Sequence, residues 1–122
     1  MKVIIAPENC DQALRRWQGG VAKMWLYHIS LKRLALRIER PTEAEVLYVV
    51  GSGCTHIHGP FVWNNANIAI SNHRDPVTGE NICQVTDAFA GFELFCSTVT
   101  LAGGPANEVD ESFGTFLGEV QS

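Results

Sequence analysis

Apolar and polar residues alternate along this chain at two different periods. Near the N-terminus the period is helical: Cys10, Ala13, Leu14 and Trp17 fall on one face of a segment spanning 8–18, while Asp11, Arg15, Arg16 and Gln18 lie largely elsewhere. Asn9 stands where an N-cap would, with Gln12 three residues on in the spacing of a capping box. Gly19 and Gly20 supply a left-handed stop. The pattern predicts a helix of about two to three turns, whose Trp17 stripe packs as a lid against a sheet. Before it, Met1 to Pro7 reads as a short edge strand that the proline ends.

From Val21 onward the period is two. Trp25, Tyr27 and Ile29 share one face of a predicted strand, with Met24, Leu26 and His28 on the other. Leu34, Leu36 and Ile38 then alternate with Arg33, Ala35, Arg37 and Glu39. A helical stripe through Leu31, Leu34, Ala35 and Ile38 competes there, but it would leave Leu36 in water, so the strand is preferred. Val46 to Val50 is a continuous apolar run, the mark of a strand covered on both faces, and Gly51 and Gly53 predict a bend after it. Shorter strand signals follow at Cys54 to His58, Phe61 to Trp63, Asn67 to His73 and Ile82 to Asp87. The stretch RDPVTGE (74–80) has the chemistry of a hairpin loop. In GFELFCSTVTL (91–101), Phe92, Leu94 and Cys96 share a face and Phe95, Val99 and Leu101 the other, with Gly103, Gly104 and Pro105 ending the strand.

Six or seven short strands without helix-length crossovers predict an all-β, antiparallel single domain. Closure into a β-barrel or a jelly-roll-like form is favoured because it removes exposed edges. The expected organisation is a short helix at 8–18, a barrel at 21–101 and a C-terminal tail at 102–122. In that tail Glu108, Asp110 and Glu111 are solvated, and Phe113, Phe116 and Leu117 dock on the body or on a neighbour.

Composition adjusts this picture at three points. Hydrophobic residues make up 46% of the chain and charged residues only 18%, so the chain has apolar surface to spare, which points to a homo-oligomer. The formal charge of -4 argues against nucleic acid and anionic membranes as partners, and no apolar run approaches a membrane span, so a cytoplasmic protein is expected. Cys10, Cys54, Cys83 and Cys96 form no Cys-x-x-Cys pair and are expected as reduced, mostly buried thiols.

The candidate chemistry lies in one stretch. If Cys54 to His58 is extended, Cys54, His56 and His58 project from one face. Two histidines so placed can chelate a metal, with His73 the later histidine available as a third donor. This His-x-His resembles the start of the first metal-binding motif of the cupin family, which implies a cupin-like barrel and a divalent metal. The glutamate that follows the motif in that family has no counterpart here, since Gly59, Pro60, Phe61 and Val62 come next. The sequence therefore favours non-enzymatic binding of a small molecule without a cofactor, at a mouth formed by His56, His58, Trp63, Asn65 and Asn67. An oligomeric structural or interaction subunit is the alternative. A metal-dependent cupin-like enzyme, with His56, His58 and His73 as ligands, is a further one.

Overall fold

The computed structural model describes residues 3–30 and 32–106. Among these, strands dominate: β1 (Val3–Ile5), β2 (Val21–His28), β3 (Arg33–Glu39), β4 (Glu45–Ser52), β5 (His56–His58), β6 (Val62–Trp63), β7 (Ala69–Arg74), β8 (Asn81–Asp87), β9 (Phe92–Cys96) and β10 (Thr98–Pro105). One helix, α1 (Cys10–Arg16), follows a single 3-10 turn at Pro7–Asn9. The acidic and aromatic residues expected of the tail lie outside the described residues.

The strands form two antiparallel sheets. One has six strands in the order β1-β10-β4-β3-β2-β6, the other four in the order β5-β9-β8-β7. Neither closes into the expected barrel: the chain changes sheet four times, after β4, β5, β6 and β9, instead of continuing one ladder. After β4, Gly53 adopts φ +69°, a conformation that favours glycine, and the chain leaves for β5 in the smaller sheet. After β9, Ser97 carries it back, its amide donating to the Ser52 carbonyl at 2.9 Å. The single strand expected over 91–101 is thus two strands in different sheets. Gly103 and Gly104 lie within β10, paired with Leu47 and Val46 of β4, and the strand ends at Pro105, opposite Glu45.

A common core joins the sheets. Leu34, Leu36 and Ile38 of β3, Leu47 and Val49 of β4 and Leu101 of β10 meet Val85 of β8 and Phe92, Leu94 and Cys96 of β9. Each large aliphatic or aromatic side chain so buried contributes about 1.5–3 kcal/mol. Gly51 marks a close approach between the layers, since a Cβ there would come within 3.1 Å of Cys96 Sγ and Leu94 Cδ2. The apolar run of β4 is buried on both faces, as its composition predicts: Leu47 and Val49 face this core, while Val46, Tyr48 and Val50 cluster with Ala35 on the other side.

Strand β2 departs from simple alternation. Its pairing with β3 shifts register between Met24 and Leu26, so a bulge at Trp25 breaks the faces assigned from sequence. Met24 joins the inter-sheet core, whereas Leu26 packs on the opposite cluster, and Trp25 lies edge-on to Tyr48 at 6.3 Å on that same side. The helix acts as the expected lid, with Leu14 and Trp17 both in the core. Its start differs from expectation, because Asn9 makes no side-chain capping bond. The 3-10 turn instead satisfies the entry, the Asn9 amide donating to the Ala6 carbonyl at 2.9 Å.

Candidate functional site

Asp87, at the end of β8, organises one end of the molecule. It is 1% exposed and accepts hydrogen bonds from the Trp63 indole Nε1 at 2.7 Å, the Asn67 amide at 2.8 Å and the Ala90 amide at 3.3 Å. One carboxyl group thus ties the β8–β9 connection to β6 and to the turn at Asn64–Asn67 that follows it. Trp63 also stacks on Phe92, with ring centroids 4.8 Å apart. The asparagine turn is held from its other side by the helix stop, where the Gly19 amide donates to the Ala66 carbonyl at 2.7 Å and the Ala66 amide to the Gly20 carbonyl at 2.9 Å.

Above this scaffold lies a groove of about 560 Å³ lined by Gln18, Trp63, Asn64, Asn65, Asn67, Phe89 and Ala90. Its lining is uncharged. Four side-chain amides converge there, each able to donate and to accept. Phe89 is 92% exposed, an unusual position for a phenyl ring that has a core to join. Asn65 has φ +53°, the left-handed region that asparagine tolerates better than most residues, and this fixes the turn that presents the neighbouring amides.

Trp63, Asn65 and Asn67, grouped from sequence as part of a mouth, do line one groove. His56 and His58 do not line it. They lie on β5, an edge of the smaller sheet, with both rings exposed. His56 Nε2 is 3.2 Å from Glu93 Oε1 and its ring is 5.1 Å from that of Phe95, while His58 Nδ1 reaches the Gly91 carbonyl at 3.3 Å. Register explains the first contact: His56 pairs with Phe95 and His58 with Glu93, so Glu93 sits diagonally beside His56. His73 is on β7 at the opposite edge, with β9 and β8 between. Three strand spacings put it roughly 14 Å from β5. Among the described residues no group of three or more His, Cys, Asp or Glu side chains is placed to hold a metal ion. Cys54, expected on the histidine face, is instead buried.

A second recess of about 290 Å³ opens beside β5, lined by Met24, Tyr27, Leu34, Cys54, Thr55, His56, Ile57 and Leu94. Cys54 is the one thiol in its lining. Cys54 donates to the Gly51 carbonyl at 3.3 Å, and the Cys96 thiol is pushed far up by its hydrogen bond to Cys54 and by burial. All four cysteines are free thiols.

Sequence reasoning missed Gln18, Asn64, Phe89 and Asp87 as a group, because they come from three different connections and the end of β8. One signal was available: a phenylalanine inside the short connection Ala88 to Gly91, where turn chemistry does not call for it. No helix among the described residues is long and apolar enough to cross a membrane. Comparison of the chain with protein-family models, with curated proteins and with solved structures gave no match.

Proposed function

We propose that this protein is a non-enzymatic binding module, a β-sandwich whose end groove takes a small, uncharged, hydroxyl-rich ligand of the saccharide or polyol class. The observation that carries this reading is the convergence of Gln18, Asn64, Asn65 and Asn67 beside the exposed Phe89 in an uncharged groove. Hydroxyl groups both donate and accept, and a carboxamide offers both functions without the desolvation penalty of an ion. A phenyl ring at the rim suits the apolar C–H face of a sugar ring. A charged ligand would find no counter-ion in this lining, and a wholly apolar one would strand the amides. The scaffold below is preorganised by Asp87, so little ordering cost falls on the ligand.

The test is a titration of the isotope-labelled protein with neutral mono- and disaccharides, followed by amide chemical shifts, with a sugar acid, a sugar phosphate and an alkyl alcohol as comparisons. The expected result is saturable shifts confined to 18–20, 63–67 and 88–91 for a neutral sugar, abolished by Phe89→Ala and weakened by Asn65→Ala. Shifts for the alkyl alcohol alone, centred on Tyr27, Cys54 and Ile57, would move the binding site to the second recess. Absence of any saturable shift with the neutral sugars would overturn the reading.

A further inference from the structure

Two of the four thiols meet where the chain changes sheet. Cys54 follows the Gly53 bend between β4 and β5, and Cys96 ends β9, just before Ser97 carries the chain back to the larger sheet. The Thr55 amide donates to the Phe95 carbonyl at 2.9 Å, so Cys54 and Cys96, each next to one of these residues, sit on neighbouring chains. Both sulfurs press on one backbone position: a Cβ at Gly51 would lie 3.1 Å from Cys96 Sγ and 3.4 Å from Cys54 Sγ. A hydrogen bond joins the two thiols. Sulfurs in contact on adjacent chains meet the first condition for a disulfide. The other two thiols are engaged elsewhere, Cys83 donating to Asn72 Oδ1 at 2.7 Å and Cys10 to the Ala6 carbonyl at 3.6 Å.

The members of the pair differ in access. Cys54 lines the recess of about 290 Å³ beside β5, whereas Cys96 lies outside that lining and is 3% exposed. Around Cys54 the lining is largely apolar, with Met24, Leu34, Ile57 and Leu94, and among the described residues it includes no Asp, Glu, Lys or Arg. We propose that this recess admits an organic hydroperoxide, an uncharged oxidant with an apolar body, and that Cys54 and Cys96 reduce it and close a disulfide. The chemistry is separate from the end groove and does not depend on the ligand proposed there.

The first step takes place at the accessible sulfur. The Cys54 thiolate attacks the terminal oxygen of R–O–OH, the O–O bond breaks, and the alkoxide leaves with the proton that the thiol gave up, as R–OH. Cys54 is now a sulfenic acid, oxidised by two electrons. The Cys96 thiolate then attacks the Cys54 sulfur, the S–O bond breaks, and hydroxide leaves with the Cys96 proton as water. One chain consumes one hydroperoxide and yields one alcohol, one water and one disulfide. The environment of the pair suits this order. The hydrogen bond from Cys96 holds the Cys54 thiol below its ordinary value against the opposing effect of burial, and the same bond, with burial, holds Cys96 above it. Oxidation of Cys54 removes the thiolate that retained the Cys96 proton, so the second thiol is released to react only once the first has done so.

The experiment treats the reduced, full-length protein with one equivalent of cumene hydroperoxide or of hydrogen peroxide, blocks the remaining thiols with a maleimide and maps the peptides by mass spectrometry. The expected product is a Cys54–Cys96 disulfide with Cys10 and Cys83 blocked, one equivalent of cumyl alcohol being released. Because the recess takes the apolar body, cumene hydroperoxide should react about tenfold faster than hydrogen peroxide, and urea should abolish that preference. The Cys96→Ser variant should stop at a Cys54 sulfenic acid that dimedone traps, and Cys54→Ser should leave Cys96 unreacted. The wild-type map decides the matter even if a variant fails to fold. A wild-type protein with Cys54 unmodified, a disulfide between Cys83 and Cys96, or a Met24 sulfoxide in place of the disulfide would overturn the proposal, as would hydrogen peroxide reacting as fast as cumene hydroperoxide.

Discussion

Replacing Asp87 with alanine removes the acceptor for three N–H groups at once, and the structure permits the cost to be worked out. The Trp63 indole donor is buried and has its bond at 2.7 Å, and the Asn67 amide is part-buried with its bond at 2.8 Å. A buried donor left without a partner costs about 1–3 kcal/mol, so taking about 2 for each of these gives about 4 kcal/mol. The Ala90 amide, longer at 3.3 Å and part-buried, is taken to find water and to add little. The total approaches the lower end of the 5–15 kcal/mol or so that stabilises a typical domain. Asp87→Asn keeps one acceptor but turns an amide NH₂ towards donors, and should cost about half as much. Urea denaturation followed by far-ultraviolet circular dichroism measures both. A double-mutant cycle separates the indole bond from the rest: in a Trp63→Phe background the indole donor is absent, so Asp87→Ala should cost about 2 kcal/mol less. A loss below about 1 kcal/mol for Asp87→Ala, with no coupling to Trp63, would refute the assignment of Asp87 as the tie between the three segments.

Other perturbations test other parts of the fold. Trp17→Ala should lower stability by about 3–5 kcal/mol because the indole lies in the core. Asn9→Ala should change it by under about 0.5 kcal/mol, against the 1 kcal/mol or so typical of a lost cap, since Asn9 makes no capping bond; comparison of denaturant midpoints decides both. Gly51→Ala places a methyl group within 3.1 Å of Cys96 Sγ and Leu94 Cδ2. The overpacking should cost about 1–3 kcal/mol by thermal denaturation. Glu39 is held below the ordinary carboxylate range, first by its hydrogen bond from Lys23 at 2.7 Å and then by Arg37, against an opposing effect of burial. Because the folded state depresses this pKa, the contribution to stability is present above the unfolded value of about 4.3 and is lost as pH falls through the folded value. Glu39→Gln should flatten that part of the stability profile on acid titration, and an unaltered slope would count against the ion pairing.

Where local chemistry decided the structure, the sequence was readable. The alternation of Leu34, Leu36 and Ile38 with Arg33, Ala35 and Arg37 gave β3 correctly, with the leucines and isoleucine in the core. The loop at 74–80 is built as its residues suggest: Asp75 Oδ1 accepts from the Val77 amide at 2.8 Å, and Gly79 takes φ +75°. Alternation assigns faces but not partners, and the errors follow from that limit. Nothing at Trp25 announces the bulge that places it with Leu26 on one side, because the extra residue is accommodated by the register of β3. Nothing between Phe92 and Leu101 marks Ser97 as the crossing point, since both strands keep the same period. The candidate site was legible in part for the same reason. Trp63, Asn65 and Asn67 are neighbours in sequence and share a groove, whereas Asp87 and Phe89 reach it through sheet pairing. His56 and His73 are separated by that same pairing.

The strand order also bears on how copies of this protein can meet. Among the described residues the sheets end in β1, β6 and β5, of three, two and three residues, and in the longer β7. A ladder of two or three residues gives an incoming strand too few hydrogen bonds to lodge. Strand β7 is long enough, but it carries Ser71, Asn72, His73 and Arg74 in an exposed row. A neighbour pairing there would have to desolvate these groups. His73, which the sequence offered as a metal donor, thus has a simpler use as part of a polar border against runaway strand addition. Strand addition between copies is disfavoured at these edges.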